Sequence, residues 1–233
     1  MISFVVPAHD EALLLGRTLA AIRAAADAVG EPYDVTVVDD ASTDATAAIA
    51  RDEGTRVVAV QHRQIARARN AGARATTGQL LVFVDADTIV SVEVLRAAVA
   101  EWRSGAVGGG AHFEFDGDLA PWARAMRPVV RWTMHTFQLA AGCFFFCSRT
   151  EFEAVGAFDE QLFATEEVAL SRALHTRGRF VVLPLAVRTS GRKLRAHSGR
   201  KLFALLWSFV RRGPAMFRDR DSLGLWYGPR RDD

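Results

Sequence analysis

Residues 80–84 read Leu-Leu-Val-Phe-Val, and this apolar run stops abruptly at Asp85-Ala86-Asp87-Thr88. A continuous run of apolar, β-branched and aromatic residues predicts a strand buried on both faces of a parallel sheet. The same pattern opens the chain, where 2–6 run into Pro7-Ala8-His9-Asp10-Glu11, and it recurs at 35–38, which run into Asp39-Asp40 and a helix-capping Ser42-Thr43-Asp44 cluster. A further short strand is predicted at 56–61. Between the strands lie alanine- and leucine-rich stretches that predict helices at 13–29, 45–53, 64–76 and 92–102. Alternating strands and helices, with every strand ending in polar residues, predict a doubly wound α/β sheet. Ligands of such sheets bind beyond the carboxyl ends of the strands.

Asp85 and Asp87 stand at such an end. Residues two apart on an extended chain point the same way, and two hard oxygen donors on one side suit a divalent cation that also holds phosphate oxygens. The same acids also suit a helix start, with Asp87 or Thr88 as N-cap before the 92–102 helix. No Gly-x-Gly-x-x-Gly follows the first strand and no Gly-Lys-Ser/Thr loop is present, which argues against a dinucleotide or Walker-type site.

Composition narrows the class. With 233 residues, 50% hydrophobic and 24% charged, the chain has the balance of one globular domain with a sizeable core. No signal peptide precedes the first strand and no apolar run reaches the roughly 18–20 residues of a spanning helix, so a cytoplasmic location is expected. Cys143 and Cys147, four apart on an expected apolar strand, lack a second pair for zinc and are expected as reduced core thiols.

Charge is placed unevenly. Residues 188–233 hold 12 Lys+Arg against 4 Asp+Glu, a net of +8 in a chain whose total is +2. Within that tail the apolar stretch 202–210 precedes Arg211-Arg212. This composition fits either an interfacial segment on anionic lipid or a helix packed on the domain with a basic outer face. No nucleic-acid recognition motif accompanies the basic residues. A second apolar patch, 116–138, mixes Trp122, Met126, Val129, Val130, Trp132 and Phe137 with Arg124, Arg127 and Arg131, and Pro121 and Pro128 interrupt it. On composition it reads as core. Residues 105–110 before it read as a flexible glycine loop entering a strand at 111–115.

Four segments then occur in a telling order: Val-Val-Pro-Ala-His-Asp-Glu (5–11), Val-Val-Asp-Asp-Ala-Ser-Thr-Asp-Ala-Thr (37–46), Ala-Arg-Asn-Ala-Gly (68–72) and Phe-Val-Asp-Ala-Asp (83–87). Together with 140–149, 152–160 and 166–174 they resemble family 2 glycosyltransferases of the GT-A fold over about residues 2–190. The resemblance implies a single GT-A domain at 1–200, with a nucleotide-sugar-binding half (1–110) and an acceptor and catalytic-base half (111–200), followed by a basic amphipathic segment at 201–233. It also places the apolar patch 116–138 at the border of an acceptor site. It implies a nucleotide-sugar site at Pro7, Ala8, His9, Glu11, Arg69, Asn70 and Ala86, with Asp39 and Asp40 on base and ribose. A carboxylate can accept from a uracil N–H or a ribose hydroxyl. Asp85 and Asp87 would hold Mn²⁺ or Mg²⁺ against the pyrophosphate, with His197 completing the shell and the basic loop 188–197 closing over it.

Glu167 falls at the family's general base, where Asp is usual, with the adjacent Glu166 as the alternative. Read without the resemblance, the pair is the acidic first turn of a helix. The implied reaction is metal-dependent, inverting transfer from a UDP- or GDP-sugar to a sugar, lipid-linked or small-molecule hydroxyl. The Gln-x-x-Arg-Trp motif of processive members is missing, which implies one sugar per encounter. A sugar-nucleotide nucleotidyltransferase would need a glycine-rich, arginine-containing loop after the first strand, and 7–15 lack it. A non-catalytic nucleotide-sugar-binding or membrane-associated protein is the remaining alternative.

Overall fold

The computed structural model describes residues 1–117 and 121–192, without the side chains of 121–123, 125, 127 and 135. Eight strands and seven helices follow one another as β1 (Ile2–Ala8), α1 (Leu15–Val29), β2 (Tyr33–Asp40), α2 (Thr46–Asp52), β3 (Arg56–Val60), α3 (Ile65–Arg74), β4 (Leu80–Val84), β5 (Thr88–Ile89), α4 (Val92–Arg103), β6 (Gly108–Phe115), α5 (Pro121–Phe137), β7 (Phe144–Ser148), α6 (Arg149–Ala154), α7 (Glu166–His175) and β8 (Phe180–Thr189). The strands form one sheet in the order β3-β2-β1-β4-β7-β6-β8-β5. β7 runs antiparallel to both β4 and β6, and β5 antiparallel to β8; the other pairs are parallel. Six strands therefore point their carboxyl ends at one edge.

Alternation along the strands splits the core into two layers. Phe4, Val6, Leu80, Val82 and Val84 pack with Leu15, Leu19 and Ile22 of α1 and Val94, Leu95 and Ala98 of α4. Val5, Leu81 and Phe83 turn to the other face, against Ala66 and Ala73 of α3, Phe152 of α6 and Leu170 and Leu174 of α7. All of β4 is buried, as a central strand covered by helices on both faces requires.

Three expectations are corrected. Residues 108–110 are not loop but the buried start of β6, because the backbones there are too close for side chains. A Cβ on Gly109 would lie 2.1 Å from the Val181 carbonyl oxygen and 2.6 Å from the Phe146 ring. The N-cap of α4 is neither Asp87 nor Thr88 but Ser91, whose hydroxyl accepts from the Val94 N–H, while Thr88 pairs with Thr189 of β8. Cys143 precedes β7 rather than lying on it; both cysteines are buried and free, and burial pushes both thiols up, away from thiolate.

The patch at 116–138 is helical over Pro121–Phe137, with Pro128 inside. Met134 is buried, but Met126, Val129, Val130, Trp132 and Phe137 are exposed, so this face is not core. No described helix is long and apolar enough to cross a membrane. The basic segment 201–233 lies outside the described residues.

Candidate active site

The carboxyl edge gathers most of the expected residues. The parallel register of β1 on β2 sets Ala8 beside Asp39, and that of β1 on β4 brings the acids after β4 to the same edge. Beyond the strands the β1 and β2 loops are stitched together. The Asp10 N–H donates to Ser42 Oγ (3.0 Å), the Thr43 N–H to Asp10 Oδ1 (2.7 Å), the Glu11 N–H to Thr46 Oγ1 (2.8 Å) and the Ala12 N–H to Asp44 Oδ2 (3.0 Å). Asp10 and Ala41 take left-handed backbone, φ 49° and 58°, which the stitching holds in place. Burial works to raise the Asp44 carboxyl, but the hydrogen bonds from Thr46 and Ala12 outweigh it and hold Asp44 below its ordinary value. Asp44 is thus a loop lock; the N-cap position of α2 falls on Ala45 instead of the expected Ser42-Thr43-Asp44 cluster, although Asp44 Oδ1 still accepts from the Thr46 N–H at 2.9 Å. His9 Nε2 lies 3.2 Å from Asp10 Oδ2.

The paired acids after β2 divide. Asp39 is buried and, among the described residues, its Oδ1 accepts a long bond, 3.3 Å, from the Ser42 N–H. Asp40, expected on the ribose, spends its carboxylate on backbone: Oδ1 accepts from His62 and Arg63 N–H (2.6 and 2.8 Å) and Oδ2 from Gln64 N–H (3.0 Å). It shapes the turn into α3.

Arg69 and Asn70, expected on the nucleotide sugar, are also turned inward. Asn70 Nδ2 donates to the Phe158 carbonyl and to Glu160 Oε1, and its Oδ1 accepts from the Phe158 N–H (3.0, 3.0 and 3.1 Å), clamping the segment that leads to α7. Gln64 Nε2 holds the Glu160 and Leu162 carbonyls of that segment as well. Arg69 is 1% exposed. Its Nη1 donates to Glu166 Oε1 (2.6 Å), and its Nη2 to Asp85 Oδ1 and to the Gly142 carbonyl (both 2.9 Å). Neighbouring carboxylates more than offset the cost of burying this guanidinium and raise its pKa.

Asp85, Ala86 and Asp87 form a tight turn between β4 and β5. The Thr88 N–H donates to the Asp85 carbonyl, and Thr18 Oγ1 of α1 donates to the Ala86 carbonyl (3.0 and 2.9 Å). Thr189 Oγ1 donates to Asp87 Oδ1 at 3.3 Å, so the end of β8 reaches the acidic turn. The donor set is two carboxylates, a hard-oxygen chemistry that fits Mn²⁺ or Mg²⁺. No cluster of three or more His, Cys, Asp or Glu able to hold a metal occurs among the described residues, so such an ion would draw its other ligands from substrate, water or residues beyond these. His197 lies outside the described residues, as does the second half, 193–197, of the basic loop 188–197. Of that loop, Arg192 is seen paired with Glu11, and the Gly191 N–H donates to Asp116 Oδ1.

Glu166 and Glu167 open α7 without a side-chain cap, after Thr165 at φ 66°, a strained conformation for a β-branched residue. The two acids part: Glu166 is buried on Arg69, whereas Glu167 is half-buried as a residue, with its carboxyl enclosed. Burial, and then the charge of Glu166, push the Glu167 carboxyl up to about 8, with Arg69 opposing. Thr18 carries no motif of its own; Thr189 and Gly142 lie within the stretches 188–197 and 140–149, yet hydroxyl hydrogen bonds and close backbone approach do not single them out there.

A mostly parallel sheet with one reversed central strand, flanked by helices, is an α/β architecture of the GT-A type. Residues 3–156 match Glycosyl transferase family 2, and the chain belongs to that family. A validoxylamine A glucosyltransferase from Streptomyces hygroscopicus subsp. jinggangensis is 32% identical over 43% of this chain and 25% of its own length. An undecaprenyl-phosphate 4-deoxy-4-formamido-L-arabinose transferase from Edwardsiella ictaluri is 36% identical over 37% of this chain and 29% of its own. The chain thus matches only about a quarter of the length of these curated relatives. A mannosyltransferase from Pyrobaculum calidifontis, solved in complex with GDP-Man and Mn²⁺, superposes with TM-score 0.68 at 23% identity, covering 88% of this chain and 61% of that one.

Proposed function

We propose that the protein moves one sugar from a UDP- or GDP-sugar to an acceptor hydroxyl, with inversion and with Mn²⁺ or Mg²⁺ bound at Asp85 and Asp87. The observation that carries this reading is the meeting, at one sheet edge, of the Asp85-Ala86-Asp87 turn with the Glu166-Glu167 helix start, joined by Arg69. In this reading Pro7, Ala8, His9, Glu11 and Asp39 receive the nucleoside, while Asp40 and Asn70 hold the loops that shape the pocket. Residues 1–110 serve the donor and 111–200 the acceptor.

Glu167 is the general base. As the acceptor oxygen bonds to the anomeric carbon, Glu167 takes its proton and the bond to the nucleoside diphosphate breaks on the opposite side. A divalent ion, when bound, offsets the charge gathering on the departing diphosphate. Burial beside Glu166 favours the proton's arrival at Glu167, because a strongly acidic carboxylate would be a poor base.

The apolar outer face of α5, with Trp132 at 62% and Phe137 at 59% exposure, favours an amphiphilic acceptor or a lipid surface over a freely soluble sugar. Location at the inner face of a membrane, held also by the basic segment 201–233, belongs to the same reading. Incubating the protein with a panel of UDP- and GDP-sugars and Mn²⁺ tests it. Hydrolysis or transfer of one donor is expected, and turnover unchanged by a metal chelator would refute the metal-dependent mechanism.

A further inference from the structure

Arg69 is buried, yet it joins the two halves of the proposed chemistry. It bonds Asp85 on the donor side and Glu166 in the first turn of α7, while its ζ-carbon stacks 5.3 Å from the centre of the Phe158 ring. The packing leaves no slack, since a Cβ on Gly142 would lie 2.7 Å from Nη2. The first turn of α7 has no side-chain cap and follows a strained Thr165, so the Arg69–Glu166 pair is what fixes the helix start from which Glu167 projects. A guanidinium suits this task because its planar fork can hold two carboxylates in set directions, which an ammonium cannot.

We propose that Arg69 is a positioning residue that couples cation binding at Asp85 to the placement of the base helix, with Glu166 as its counterweight. The inference rests on the metal reading above. Arg69 and a divalent ion compete for the electron density of Asp85. Glu166 draws part of the Arg69 charge away from Asp85 and so leaves Asp85 a better ligand. Neutralising Glu166 returns that charge to Asp85, and a change well outside the metal's own ligands then weakens the metal. Coupling of this kind is reciprocal: an ion on Asp85 loosens Arg69 there and tightens it on Glu166, settling the helix start when the donor arrives.

The experiment titrates Mn²⁺ into the protein with saturating UDP or GDP and follows free Mn²⁺ by electron paramagnetic resonance, in wild type, Glu166→Gln and Gly142→Ala. Glutamine keeps an acceptor for Arg69, so the fold should persist, and circular dichroism checks it. Glu166→Gln is expected to weaken Mn²⁺ roughly five-fold or more. Gly142→Ala displaces the guanidinium without removing a charge and is expected to change Mn²⁺ affinity and lower kcat together, at little change in KM for the acceptor. Wild-type Mn²⁺ affinity in both variants would overturn the coupling while leaving the metal reading intact. No Mn²⁺ binding by the wild type would overturn the metal reading and the coupling with it.

Discussion

A carboxylate that serves as a base must lose its proton in surroundings that disfavour its charge, and Glu167 is held in such surroundings. Its pKa is raised to about 8, first by burial and then by Glu166. Between the ordinary 4.5 and about 8 the folded state keeps a proton that the unfolded chain has released. Stability from this group is therefore full below the lower value and lost as pH rises through the upper one. Glu167→Gln should raise the melting temperature relative to wild type above pH 8, with the difference vanishing near pH 4.5 in matched thermal melts. In the opposite sense it should lower kcat by roughly 10²–10⁴, because glutamine cannot take a proton. Donor affinity, measured by calorimetry, should stay near wild type. Glu166→Gln should cost far less, and by removing a neighbouring negative charge it should move the rising limb of the pH–rate profile to lower pH. By residue type the adjacent glutamates look alike, and it is the family resemblance that selects Glu167; the burial of Glu166 against Arg69 fits that choice.

At the scale of elements, strands and helices of the first half were legible because each strand is a short apolar run stopped by acids and each helix an amphipathic stretch. The glycines that open β6 were not. Read as punctuation they predict a loop, whereas here they let β6 lie against β7 and β8. Gly109→Ala should therefore destabilise the fold by about 1–3 kcal/mol or more, through overpacking against Val181 and Phe146, as read by urea denaturation. The roles of Asp40 and Asn70 were hidden for a related reason: a polar residue inside a motif looks like a ligand contact until its backbone partners are seen. Asn70→Ala strands the Phe158 N–H and should cost about 1–3 kcal/mol of stability, again by urea denaturation. It should also slow transfer, because the loop it clamps leads into α7.

Over the whole molecule, residues 1–110 read directly from order and spacing, since parallel strands must deliver their ends to one edge. The described residues after 110 read less well, because the partial periodicity of 116–138 does not separate an exposed apolar face on α5 from core. If that face meets anionic lipid, the protein should pellet with anionic vesicles at low salt and release as salt screens its arginines. Replacing Trp132 and Phe137 with Ser should weaken that binding with no loss of donor affinity. The central claim, that the acids after β4 hold a donor diphosphate through a divalent ion, is tested most directly by calorimetric titration of UDP and GDP, each with and without Mn²⁺, into wild type and Asp87→Asn. One nucleotide should bind wild type tighter by roughly ten-fold or more with Mn²⁺, and Asp87→Asn should lose that gain at an unchanged melting temperature. Equal affinity with and without the ion, in both proteins, would contradict it.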